Sequence, residues 1–432
     1  MRMFRGTARS IAALFLVGCA IEIAFVFLYY YESHGPLISA IKEHTETLQK
    51  GTIPDAAQID IYRDNWTHVA RFEEVFSELQ LVVAPLFAIL MTWVFLWRGV
   101  SIAIRDFVSK KAENVHVRRM LYIGAIVVVG AVMALPESFS EYFIGHMRGT
   151  LVAGPADATW NIGMGFLISL IETLVLFVSL YWIIDRFKNR WWIMAAVFVS
   201  LFFILTAFID PVVVEPLFVD SEPLQDSALR SEIVEMTQRA GVPIERIYVS
   251  NASAQTLESN AAVSGIGWTK RIELDDTMIA HYTHREILFV VAHELGHYVH
   301  HDILLDIVIS TLYAFFSYRL LALSFRFFIK RYGKAVDITK ENDIALFPLI
   351  GFVFVALGFL TSPLLSAISR SVEHRADEYA LALTHDAPAG IDGFKKLAFE
   401  SFVDPTPPVF LHLWFDDHPS IQERLNFLAQ TK

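Results

Sequence analysis

Three observations predict a mostly α-helical, polytopic membrane protein that carries a small α+β unit. The 432 residues are 54% hydrophobic and only 19% charged. Apolar stretches long enough to be membrane spans recur along the chain. One polar segment, residues 220–302, interrupts them. Ordinary soluble domains carry about 25% charged residues and less apolar bulk. The 35 basic residues against 46 acidic ones leave a net charge of -11, which gives no support for a nucleic-acid partner. The single cysteine, Cys19, allows neither an intrachain disulfide nor a thiolate metal cluster.

A bilayer crossing takes about 20 apolar residues. The stretches that meet or approach this are Ile11–Tyr30, Leu81–Trp97, Leu121–Ala134, Ile162–Ile184, Trp191–Phe208, Ile303–Phe328 and Ile344–Ile368. These are seven expected spans. The third is the shortest, and Pro136 is expected to end it. The first follows Arg2, Arg5 and Arg9, as an uncleaved signal anchor does. Glu22, Glu172, Asp210 and Asp306 fall within or beside spans. Charge is costly in hydrocarbon, so each is expected to face the bundle interior or water. The expected organisation is a membrane region at 1–219, a peptidase-like segment at 220–302, two further spans at 303–370 and a C-terminal part at 371–432.

In the polar segment, Ser227–Gly241 reads as an amphipathic helix stopped by glycine, with Pro243 beyond. Arg246–Ser250, Ala261–Val263 and Arg271–Leu274 read as short strands, the last two joined through Gly265, Gly267 and Trp268. Directly afterwards comes His293-Glu294-Leu295-Gly296-His297 on an apolar helix. Positions i and i+4 share one helix face, so the two imidazoles can grip one zinc ion. Zinc lowers the pKa of a bound water toward ~7, and the intervening Glu294 can take its proton. The pattern points to a metal-dependent hydrolase.

A catalytic zinc usually takes three protein ligands. A third histidine within the same motif would require Gly at 300 and His at 303, but the chain has His300 and Ile303. The better source is the run from Ser369 to Ala380. There Glu373 and Asp377 lie four apart on one face, the first suited to bind zinc and the second to orient a ligand histidine. His300 and His301 are expected to continue the metal helix as solvated side chains. His374 projects about 100° from Glu373 and is not counted as a ligand. A protease whose metal helix is itself a span is disfavoured, because His281, His284, Arg285, Glu286, His300, His301 and Asp302 flank it. A transporter or scaffold with a structural zinc has no need of Glu294, which is present.

Taken together these motifs resemble the integral-membrane zinc metallopeptidases of the type I CAAX prenyl protease family. The resemblance covers most of the chain beyond its first 80 residues. It rests on Leu135-Pro136-Glu137-Ser138, Pro211 with Glu215-Pro216-Leu217-Phe218, and Glu258-Ser259-Asn260-Ala261 with Lys270-Arg271-Ile272. It extends through the His293 motif, Ser369-Arg370 with Glu373 and Ala376-Asp377, and His418-Pro419 with Glu423-Arg424-Leu425. The family implies seven helices enclosing a water-filled chamber, with the zinc-peptidase unit at one end. It implies one zinc ion per chain on His293, His297 and Glu373, with Glu294 as general base and Asp377 supporting the ligands. It further implies that His418 and Arg424 stabilise the oxyanion, and that Asn260 and Ala261 pair with the substrate backbone. The implied partners are a peptide or protein substrate, prenylated in the family, and the lipid bilayer. The long acidic loop Tyr31–Glu78 departs from the family pattern, which leaves a broader role in cleaving membrane-associated or misfolded proteins equally open.

Alternating loops from a cytoplasmic N-terminus gathers Arg98, Arg105, Lys110, Lys111, Arg118, Arg119, Arg186, Lys188, Arg190, Lys330, Arg331, Lys334 and Lys340 on the inside. Positive residues stay cytoplasmic. The zinc segment is therefore expected on the outer, periplasmic or lumenal, side.

Overall fold

A computed structural model describes residues 2–33, 46–47, 54–61, 70–71, 82–83, 85–87, 89–265 and 269–430. The membrane part holds α1 (Arg2–Ser33), a bent pair α2 (Pro85–Trp97) and α3 (Val100–Ser109), α4 (Val115–Arg148), α5 (Pro155–Phe187) and α6 (Trp191–Ile209). By length and apolar composition, four stretches among the described residues can cross a membrane: Val115–Arg148, Pro155–Leu217, Asp302–Tyr332 and Ile344–Thr384. The pair α2–α3, bent by 55°, makes a fifth when taken as one span. Ile11–Phe27 within α1 is a shorter apolar helix. Within 155–217 the chain turns at Lys188–Arg190, and α5 and α6 pack side by side.

The third stretch departs from expectation. α4 runs straight through Pro136 to Arg148. A proline inside a helix forfeits one backbone hydrogen bond, but in an apolar medium leaving the helix would orphan far more of them. Large apolar side chains such as Leu201, Leu312, Phe327 and Leu360 face outward from the bundle, as lipid-facing residues do. Inside it, Tyr122, Tyr181, Trp191 and Phe325 form a packed core.

Beyond the bundle, β1 (Ser221–Pro223), α7 (Ala228–Arg239), β2 (Ile247–Ser250), β3 (Ala261–Ser264), β4 (Arg271–Asp275), α8 (Asp276–His281) and α9 (His284–Val299) follow in order. Ser227 caps α7 by accepting from Arg230 N, and Gly241 takes φ 71 just past its end. The sheet order is β1-β2-β4-β3, with β2 and β4 parallel and the outer pairs antiparallel. β1 had no sequence signal. Gly265, at φ 81, turns β3 toward β4; a Cβ there would stand 2.4 Å from Thr269 O. Gly267 and Trp268 lie outside the described residues.

Two local expectations change. The metal helix does not follow β4 directly, because α8 intervenes. Nor do His300 and His301 continue it: α9 ends at Val299, and His301 adopts φ 59 to start α10 (Asp302–Tyr332) in a new direction. The chain closes with α11 (Phe347–Thr384), α12 (Ala387–Glu400), α13 (Val409–Trp414) and α14 (Ile421–Gln430). The core of this second unit is built from Ile233, Met278, Phe289, Val291, Leu295, Ala380, Phe394 and Leu428. Parts of the acidic first loop join it, since Ile59, Ile61 and Ala70 are buried there and Arg71 Nε donates to Asp404 at 2.9 Å.

At the opposite end of the bundle, the connection between α10 and α11 folds over the helix ends. Arg105 donates to Asp343 at 2.7 Å, Trp191 Nε1 to Glu341 at 2.7 Å, and Arg326 to Glu341 at 2.9 Å. These bonds satisfy polar groups beside a hydrocarbon region, where open ones are expensive.

Candidate metal centre

α9 starts with a capping box: Thr283 Oγ1 accepts from Glu286 N, and Glu286 Oε2 accepts from Thr283 N at 2.7 Å. Glu286 also pairs with Lys396 at 2.8 Å, both side chains buried. The helix then lies along α11. They pass close together at Gly296, where a Cβ would meet Ala376 Cα at 3.2 Å. This closeness lets side chains from both helices meet on one face.

His293, His297 and Glu373 meet there. His293 Nε2 lies 3.2 Å from His297 Nε2 and 3.2 Å from Glu373 Oε2, and His297 Nε2 lies 3.4 Å from Glu373 Oε1. Each outer ring nitrogen faces a carboxylate. His293 Nδ1 is 2.9 Å from Asp377 Oδ1, and His297 Nδ1 is 3.0 Å from Asp302 Oδ2. When both Nδ1–H groups donate outward, both Nε2 atoms turn lone pairs toward each other and toward Glu373. Such a cluster repels itself unless a proton or a metal cation sits among the donors. Glu373 Oε2 is buried and makes no well-formed hydrogen bond within the protein.

The donor set fits zinc. Tetrahedral coordination with bonds of about 2.0–2.1 Å places ligand atoms roughly 3.3 Å apart. The three separations here bracket that value. Burial disfavours a charged His293, yet the hydrogen bond to Asp377 and the nearby Glu373 carboxylate raise its pKa to about 9. The pocket is thus built to favour positive charge.

The other expected residues divide. Asp377 is fully buried and receives Arg424 bidentately, Nε to Oδ2 at 2.8 Å and Nη2 to Oδ1 at 2.6 Å. Arg424 therefore lies behind His293, its fork occupied by Asp377. This differs from the expected direct contact with an oxyanion. Cutting such a buried pair on one side costs about 3–5 kcal/mol, because the other charge stays behind. His418 stands at the open rim, half-exposed, with Nε2 3.3 Å from Glu373 Oε2. Its hydrogen bond to Asp417 raises its pKa, against burial. Glu294 is half-buried, one position after His293 on α9. His300 and His374 contribute nothing to the cluster.

Asn260 and Ala261 lie at the start of β3, an edge of the sheet, which packs beside α9. Asp275 N donates to Asn260 O at 3.0 Å, so Asn260 pairs inward with β4. Antiparallel alternation then turns the N–H and C=O of Ala261 and Val263 away from β4. An extended chain can add there as a further strand.

Asp302 was not singled out as a ligand partner from the sequence. It sits past the helix end, and only the His301 turn swings it under His297, where Arg375 also grips it. The partner of a metal-binding imidazole commonly tunes affinity by about 10–100-fold. Asp302→Asn is therefore expected to weaken zinc binding by about that factor in a chelator competition, with the helical content unchanged. Unaltered affinity would show that Asp302 does not orient His297.

Comparison with known proteins agrees with the geometry. Residues 223–432 match the model of peptidase family M48, and residues 44–220 match that of the CAAX prenyl protease N-terminal region, described as five membrane helices. The chain is 30% identical over 342 residues to the uncharacterized metalloprotease YhfN of Bacillus subtilis, covering 77% of this chain and 78% of the relative. It is 29% identical over 333 residues to CAAX prenyl protease 1 of Saccharomyces cerevisiae, covering 72% and 71%. The crystal structure of S. mikatae Ste24p superposes with a TM-score of 0.74 at 23% identity, over 96% of this chain and 98% of that one, which shows a shared fold. The chain belongs to peptidase family M48, among the CAAX prenyl proteases, and is a multi-pass membrane metalloprotease.

Proposed function

We propose that this enzyme is a zinc endopeptidase that holds one zinc ion on His293, His297 and Glu373. The observation that carries the reading is the convergence of two imidazole Nε2 atoms 3.2 Å apart on the two oxygens of one carboxylate, one 3.2 Å from His293 and the other 3.4 Å from His297, each imidazole backed by its own carboxylate. Zinc bound there supplies a Lewis acid that polarises water and carbonyl oxygen. Glu294 takes the proton of the attacking water and delivers it to the leaving amine. His418, at the rim, donates from Nε2 to the oxyanion as charge develops. Arg424 acts through Asp377, fixing the tautomer of His293. Ala261 and its neighbour Asn260 hold the substrate extended across the site.

In the membrane, we assign seven spans to α1, the α2–α3 pair, α4, α5, α6, α10 and α11. A chamber enclosed by them accounts for Glu22, Glu172, Asp210 and Asp306 at span depth, because water can solvate them there. The basic residues gather at the end away from the metal cluster, which favours a zinc site on the outer side. The edge strand recognises backbone alone, so the site itself demands no prenyl group.

Two tests follow. Glu294→Gln is expected to keep zinc and lower kcat on a reporter peptide by several powers of ten; cleavage at the parental rate would end the mechanism. Matched prenylated and unprenylated peptides, with and without chelator, then separate the substrate classes: equal cutting of both is expected, and strict dependence on the lipid would refute recognition by backbone alone. For orientation, a cysteine at the solvated Asp226 should react with an impermeant maleimide on intact cells. One at the exposed Asp337 should react only after permeabilisation. The reverse pattern would invert the topology.

A further inference from the structure

Outside the metal cluster, α12 ends in a carboxylate with an unusual set of partners. Glu400 is completely buried. It accepts from Ser259 N at 3.1 Å, Ser259 Oγ at 3.1 Å and Tyr282 Oη at 3.1 Å, and faces His281 Nδ1 at 3.3 Å. One turn earlier on α12, Lys396 donates to His281 O at 3.1 Å and to Glu286 at 2.8 Å. A single helix thus holds both the lead-in to the edge strand and the first turn of the metal helix. Buried charge is tolerated only when fully hydrogen-bonded, and Glu400 meets that condition largely through Ser259.

Ser259 immediately precedes Asn260 and Ala261. A bond to its backbone N–H fixes the rotation of the chain there. The residues on either side are also tied down. Leu257 N donates to Thr150 O at 2.9 Å, Thr277 Oγ1 donates to Glu258 O at 3.0 Å, and Asp275 N donates to Asn260 O at 3.0 Å. Of these ties, the one from Glu400 comes from the helix that also braces α9. It therefore sets how the open N–H and C=O of Ala261 are oriented. The pairing of an extended peptide with this strand depends on that orientation.

We propose that Glu400 is a positioning residue for the substrate strand, acting through Ser259; the inference rests on the reading that Ala261 pairs with substrate backbone. It makes no contact with metal ligands, so it governs peptide binding without altering metal binding. The test measures kcat, KM and bound zinc for Glu400→Gln, Ser259→Ala and the double variant on an extended reporter peptide. Glu400→Gln keeps size but turns a donor toward donors, and is expected to raise KM about tenfold with kcat and zinc content near parental. Ser259→Ala removes only the hydroxyl and should raise KM less. The double variant should be no worse than Glu400→Gln alone, because the two act in one chain. A small hydroxamate that binds only the metal should inhibit all four proteins equally.

Unchanged KM in both single variants would overturn the role of Glu400 while leaving the peptidase reading intact. So would additive effects, or loss of kcat and zinc in step. A parent protein that cleaves no peptide with zinc present would overturn both. Should Glu400→Gln fail to fold, the KM of Ser259→Ala still decides.

Discussion

Three side chains that can each offer an electron pair converge on one point, an arrangement that a shared cation stabilises. His293, His297 and Glu373 are crowded in this way, and much of the surrounding construction keeps them so. The close passage of α9 over α11 at Gly296 brings the donors together. Asp377 and Asp302 hold the rings by their outer nitrogens. Arg424 neutralises Asp377, and Arg375 grips Asp302. The cluster is thus braced by charge behind both imidazoles.

The bundle and the catalytic unit have separate cores. They are joined through α11, whose N-terminal part packs in the bundle and whose C-terminal part supplies Glu373 and Asp377. The same helix therefore ties the membrane region to the metal cluster, passing through Pro363 on the way. Antiparallel pairing near Leu151 and Thr256 adds a second tie, between the α4–α5 loop and the approach to β3. The metal cluster is consequently tied to the bundle.

Much of this was legible in the chain because it depends on local periodicity. The i, i+4 imidazoles and the i, i+4 pair Glu373 and Asp377 declare their faces by spacing alone. The glycine stop and serine cap of α7 are likewise local. What escaped depends on distant geometry. Asp302 reaches His297 only through the left-handed turn at His301, which no spacing rule foresees. Arg424 looked suited to an oxyanion, because nothing in the sequence says that Asp377 occupies its fork. Glu400 carries no motif that would single it out. The passage of α4 through Pro136 went unforeseen for another reason: the rule that proline ends helices assumes water is there to take the freed carbonyl.

X-ray absorption at the zinc edge of the purified protein tests the central claim most directly. The account predicts a shell of nitrogen and oxygen at about 2.0–2.1 Å with the outer scattering of two imidazoles. In Glu373→Ala, one light-atom ligand should be lost or replaced while both imidazole signatures remain. A shell with sulfur, fewer than two imidazoles in the parent, or a parental spectrum unchanged by removing Glu373 would contradict it.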